Sequence, residues 1–181
     1  MRTADVDAYG QALNSYSGRE RRTSSPAPDR PWAMYLSDAA QQYRYLAFDL
    51  DASKAGAGAA AADTETILDL LGRLDIAAVV CQSGPNYGRH VWVAFTDGVD
   101  AADVDRLAKL LPSLCPSLDL APWNTTKGCV RPPGAPHRNG GASTVIRGTI
   151  DVLTRPTTTP QQFAALVDLS LIHICRCRRR G

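Results

Sequence analysis

From Tyr43 the chain reads YRYLAFDLD, and its alternation puts Leu46, Phe48 and Leu50 on one side of a strand and Tyr45, Ala47, Asp49 and Asp51 on the other. The first side is suited to burial. The second ends in two carboxylates that repel unless a cation or a shared proton lies between them. Before this strand the pattern predicts a short helix over 6–16 and then an exposed Pro/Ser-rich loop over 17–31. After it, ASKAGAGAAAAD (52–63) predicts a flexible connection. The spacing of Ile67, Leu68, Leu70, Leu71 and Leu74 then predicts an amphipathic helix opened by Asp63 or Thr64 as cap.

Further along, AAVVCQS and RHVWVAF flank the turn GPNYG and predict a hairpin. DAADVDRLAKLL predicts a second helix, stopped by Pro112. Three short extended pieces follow, SLDLAP, GCVRPPGAPHRNGGAS and TVIRGTIDVL, and then a weak helix over 161–167. The order strand, helix, hairpin, helix, strands predicts an α+β fold with helices on one face of the sheet.

Composition adds bounds. With 181 residues and 44% hydrophobic content, the chain can bury one core. No run reaches the length of a membrane span, and the N-terminus lacks the apolar stretch of a signal peptide, so a cytoplasmic protein is expected. The last stretch, LSLIHICRCRRRG (169–181), is unlike the domain before it and reads as translated sequencing adapter rather than a basic nucleic-acid-binding tail. On that reading the natural chain continues differently after Asp168. The four arginines of this stretch account for the formal net charge of +2, because without them 16 basic residues face 18 acidic ones. Outside it stand three cysteines, Cys81, Cys115 and Cys129, with no Cys-x-x-Cys pair, and two histidines, His90 and His137. Neither a disulfide framework nor a zinc ribbon is supported.

Four features could carry chemistry. They are Asp49-x-Asp51; SGPNYGRHVWV, with Ser83, Gly84, Gly88, Arg89 and His90; Asp119 in SLDLAP; and KGCVRPPGAPHRNGG, with Lys127, Arg131, His137 and Arg138. Taken singly each has a plain structural reading: an Asp-x-Asp can cap a turn, Asp119 can cap the turn before Pro122, and a lone histidine is most often structural. Trp92 and Trp123 could stack on a nucleobase, with core packing the simpler role for Trp92.

Taken in order, the four features resemble the archaeo-eukaryotic primase superfamily, specifically the primase-polymerase domains of plasmid, phage and integrated-element replication proteins. Phe48-Asp49-Leu50-Asp51 matches that family's first motif, Gly88-Arg89-His90 the second and Leu118-Asp119 the third; Arg131 to Gly141 resembles the segment that follows. The separations are 39 residues from Asp51 to His90 and 29 from His90 to Asp119. The resemblance implies an RRM-like antiparallel sheet with a catalytic domain over 41–155, preceded by an N-terminal helix and loop over 1–40 and followed by the start of a C-terminal region over 156–168.

It further implies template-directed nucleotidyl transfer, as a DNA primase or DNA polymerase, with two Mg²⁺ or Mn²⁺ ions held by Asp49, Asp51 and Asp119. His90 would hydrogen-bond the triphosphate, with Ser83, Gly88, Arg89 and the turn amides nearby. Lys127 and Arg131 would offset phosphate charge, and His137 would reach the nucleotide or stiffen its loop. The implied partners are a single-stranded DNA template, a primer strand, nucleoside triphosphates and a helicase domain of the full-length protein. Two other readings of the same residues are a two-metal nuclease and a catalytically silent DNA-binding module of a replication initiator.

Overall fold

The computed structural model describes residues 1–16, 20 and 27–178. The strands are β1 Arg2–Thr3, β2 Trp32–Tyr35, β3 Tyr43–Leu50, β4 Val79–Gln82, β5 Arg89–Val99, β6 Leu118–Asp119, β7 Cys129–Val130 and β8 Thr144–Arg147. The α-helices are α1 Ala52–Ala55, α2 Ala57–Gly72, α3 Ala101–Leu110, α4 Asp151–Thr154 and α5 Pro160–Arg178. A five-stranded sheet in the order β6-β3-β5-β4-β8 forms the body, and a small sheet in the order β1-β2-β7 accompanies it. All these pairings are antiparallel.

The alternation expected for β3 decides which face is covered. Leu46 pairs with Val93 and Phe48 with Val91, so apolar side chains line up across β3 and β5. Leu71 and Ile76 close on this face together with Phe163 and Leu166 of α5, and Phe95 meets Phe163 edge to face at 5.3 Å. α3 lies against α5, with Val104 and Leu107 buried. The fold is thus mixed α+β, with helices packed on an antiparallel sheet. Among the described residues, no helix is long and apolar enough to cross a membrane.

The hairpin forms as the pattern predicts, with Val79 to Gln82 paired to Trp92 to Arg89, and α3 ends at Leu110 just before Pro112. Other expectations are corrected. No helix forms over 6–16: Asp7 Oδ1 accepts from the amides of Tyr9 and Gln11, Gly10 takes φ +79°, and Val6 bridges to Ala12. The aspartate gives the backbone a local alternative to the helical ladder. Most of the loop expected over 17–31 falls outside the described residues.

The expected flexible connection over 52–63 is helical instead, as α1 and the first part of α2, divided at Gly56 with φ +89°. Alanine's high helix propensity and the packing of buried Ala60 outweigh the glycines. Asp63 therefore caps nothing; it is buried mid-helix, where its Oδ2 accepts from Ser117 N at 2.8 Å and Ser117 Oγ at 2.6 Å. TVIRGTIDVL divides into β8 and α4 at Gly148, φ +80°, where a Cβ would come within 2.7 Å of Ala78 O. The weak helix near 161–167 is the first half of the longer α5, in which buried Ser170 donates to Leu166 O. Residues 179–181 of the tail lie outside the described residues.

Candidate active site

The face of the large sheet opposite α2 and α5 carries the polar residues of β3, β5 and β6. In the ladder, Asp49 stands opposite Asp119 on one side and opposite His90 on the other. Three residues from separate sequence motifs thereby form one row across three strands. His90 is buried, with Nδ1 3.2 Å from Arg131 O and Nε2 3.3 Å from Asp49 Oδ1. A carbonyl only accepts, so Nδ1 must be the donor to Arg131. This turns Nε2 towards the Asp49 carboxylate.

Asp51 departs from the strand pattern. β3 ends at Leu50, and Asp51 becomes the N-cap of α1, its Oδ1 accepting from Ser53 N at 2.8 Å. Its own amide donates to Ser117 O at 2.9 Å, tying the cap to the segment that enters β6. The next turn brings in a residue the motifs did not flag: Lys54 Nζ is 2.8 Å from Asp119 Oδ1. Asp119 Oδ1 also accepts from Ala121 N at 3.2 Å. The signal for Lys54 was present as a basic residue three positions after a capping aspartate, but the Ala/Gly-rich context pointed to a loop.

The facing wall is cationic and comes from the Gly/Pro-rich segment. Arg131 donates through NH2 to Ser83 O at 3.0 Å, while its Nε is buried with no hydrogen-bond partner among the described residues. His137 covers Gly84: a Cβ there would come within 2.4 Å of the ring's Cδ2. Its Nδ1 accepts from Asn139 N at 3.0 Å, which leaves the proton on Nε2. Burial first, then the charges of Arg131 and Arg138 and the nearby His90, pull its pKa down to about 4. Gly88 sits where a side chain would strike Ser83 Oγ, at 2.7 Å, and Ser83 N donates to Gly88 O at 2.9 Å.

Between the walls lies a cleft of about 480 Å³. Its lining includes Asp49, Asp51, Asp119, His90, Ser83, Gly88, Lys127, Arg131, His137 and Arg138. It also includes Asn14, Tyr16, Ser53 and Asn86, which the motifs did not single out. Arg89 is absent from the lining. As the strand neighbour of His90 it points to the other face, and its NH1 donates to Gln82 Oε1 at 3.2 Å.

No family model and no curated protein matches the chain. Among solved structures, the polymerase domain from Mycobacterium tuberculosis Ligase D in complex with DNA is similar in chain trace, with a TM-score of 0.46 and 15% identity, over 77% of this chain. The chain spans 58% of that chain's length.

Trp92 and Trp123 both belong to the core. Trp92 is fully buried, and Trp123, 5% exposed, donates its indole N–H to Ala47 O at 2.9 Å and meets Phe48 edge to face at 5.2 Å. Neither ring offers a free face to a nucleobase; Trp123 instead braces β3 two residues before Asp49.

As the side chains stand, no three His, Cys, Asp or Glu groups among the described residues converge tightly enough to hold a metal ion. The donor chemistry nevertheless fits a hard divalent cation that takes one or two carboxylates and completes its shell with phosphate oxygens and water. Asp49 and Asp119 are adjacent in register, and every protein contact described for the Asp49, Asp51 and Asp119 side chains is made through Oδ1.

Proposed function

We propose that the cleft carries out template-directed nucleotidyl transfer, as the catalytic unit of a DNA primase or DNA polymerase serving a plasmid, phage or integrated element. The observation that carries this reading is the row Asp119, Asp49, His90 facing Arg131, Lys127 and Arg138 across one cleft. Carboxylates on one wall and cations on the other suit a triphosphate that arrives with its divalent ions. The order of the sequence motifs resembles the primase-polymerase pattern and points the same way.

In this mechanism Asp49 and Asp119, with the second oxygen of Asp51, would hold Mg²⁺ or Mn²⁺, which when bound supplies Lewis-acid stabilisation of the developing charge. The chain's own residues do the rest. His90 is oriented by Arg131 O, so its Nε2 stays at the carboxylate edge, where it would face the triphosphate. Arg131 lines the cleft and would set its guanidinium charge against phosphate. Lys127 and Arg138 add positive charge at the rim, and neutral His137 presents its Nε2–H. The 3′-hydroxyl oxygen of the primer attacks the α-phosphorus; one P–O bond forms, the bond to pyrophosphate breaks, and the hydroxyl proton passes to solvent. The template and primer would be DNA and the substrates nucleoside triphosphates; a helicase in the full-length protein would supply single strands.

Primer extension on a single-stranded template with Mg²⁺ or Mn²⁺ tests this, beside an Asp49→Ala/Asp119→Ala variant checked for folding. Extension by the parent alone is expected. Metal-independent DNA binding unaffected by the double substitution, with no extension by either protein, would favour a silent binding module instead.

A further inference from the structure

Lys54 is a cation seated on one acid of the row. Its Nζ lies 2.8 Å from Asp119 Oδ1 and 3.5 Å from Leu118 O, and Asp119 stands opposite Asp49 in the ladder. Like charges directly opposite one another in a sheet repel. The Lys54 ammonium offsets that repulsion.

The root of this side chain is fixed and its tip is part-exposed. Asp51 holds α1 through Ser53 N at 2.8 Å, and its carbonyl accepts from Lys54 N at 3.1 Å. The side chains of Lys54 and Asp119 are 43% and 30% exposed. An ion pair so exposed is weak and screened, and its four-carbon stem can swing. A weak pair on a rigid root has the properties of a displaceable counter-ion.

Building on the nucleotidyl-transfer reading, we propose that Lys54 is a resident competitor for the divalent cation. Its ammonium offsets part of the negative charge of the Asp49–Asp119 pair in the free protein and leaves Asp119 when metal arrives, so it sets the metal concentration at which the cleft fills. Asp51 then has two tasks, one oxygen capping α1 and placing Lys54, the other facing the cleft.

Removing the charge should tighten metal binding, because competition for Asp119 and repulsion of the dication both disappear. The test is a Mn²⁺ titration of the full chain at fixed ionic strength, with free Mn²⁺ read by electron paramagnetic resonance. Thermal melts check folding of Lys54→Met, Lys54→Gln, Lys54→Arg and Asp119→Asn. The two uncharged variants are expected to bind on the order of threefold tighter than the parent, and less so at high salt. Lys54→Arg should stay near the parent and Asp119→Asn should bind weakest. Equal or weaker binding by folded Lys54→Met and Lys54→Gln, with Asp119→Asn still impaired, overturns the role of Lys54 and leaves the nucleotidyl-transfer reading standing. Absence of saturable Mn²⁺ binding in parent and variants alike overturns both.

Discussion

The imidazole of His137 occupies the space that a side chain on Gly84 would need, its Cδ2 2.4 Å from the position of a Cβ there. The two residues come from different loops, the hairpin turn after β4 and the Gly/Pro-rich segment after β7, so this contact ties together two loops at the edge of the cleft. A Cβ on Gly84 would also come within 2.7 Å of the ring's Cγ, so the whole imidazole must move and give up its bond from Asn139 N. Gly84→Ala should therefore cost about 1–3 kcal/mol, while displacing the ring and raising KM for nucleotide roughly tenfold. His137→Ala should do the same, and the double variant should be no worse than either alone. Additive effects in that cycle would separate the two residues.

His137 also makes the protein sensitive to acid. Its pKa is pulled from the ordinary 6.5 to about 4 by burial and then by Arg131 and Arg138, so the folded state binds fewer protons at this ring than the unfolded chain does. Stability from this group is complete above about 6.5 and is lost as pH falls towards 4. The part-exposed ring makes this a modest slope. Nitrogen-detected NMR should find the proton on Nε2 at neutral pH, since Nδ1 accepts from Asn139 N, and a midpoint near 4. His137→Asn should flatten the melting temperature over this window. A midpoint near 6.5 would remove the electrostatic account.

Much of this site was legible in the sequence because strand alternation is strict: YLAFDL placed Asp49 away from Leu46 and Phe48, and RHVWV placed His90 away from Val91. The hairpin followed from a Gly-bounded turn between apolar runs. Arg89 was misplaced because the motif groups it with His90, whereas the pleat sends neighbours to opposite faces. Lys54 and α1 were missed because helix formation in ASKA depends on a cap from Asp51 and on the tertiary anchor at Ser117 O, neither of which is visible as periodicity. Asp49 and Asp119, paired across β3 and β6, are 70 positions apart in the chain, and their register is a property of the closed sheet.

Asp51 offers a way to separate capping from chemistry. Asparagine caps a helix about as well as aspartate, while alanine gives up roughly 0.5–2 kcal/mol. On the proposed two-metal reading, Asp51→Asn should keep the parent's stability and lose synthesis by more than ~100-fold, because a carboxylate facing bound ions would supply several kcal/mol of charge stabilisation. Asp51→Ala should lose both. Urea melts beside primer extension read the two quantities independently. Full synthesis by Asp51→Asn would make Asp51 a cap alone.

Trp123 braces the sheet behind the cleft, while Gly128 is part of the cleft lining. The indole N–H of Trp123 donates to Ala47 O, two residues before Asp49, so Trp123→Phe removes a buried hydrogen bond and leaves a carbonyl unpaired, at about 1–3 kcal/mol. Gly128, beside Lys127, packs so closely on the turn that a Cβ would overlap Pro122 O at 1.7 Å. That neighbour is backbone and cannot rotate away, so Gly128→Ala should destabilise by about 1–3 kcal/mol. For both, urea unfolding measures the cost. Because Trp123 is 5% exposed and Trp92 is fully buried, neither is open to stack on a base, and in a Trp32→Phe background single-stranded DNA should leave their fluorescence nearly unchanged. Strong quenching lost in Trp123→Phe would move that ring from the core into the binding surface.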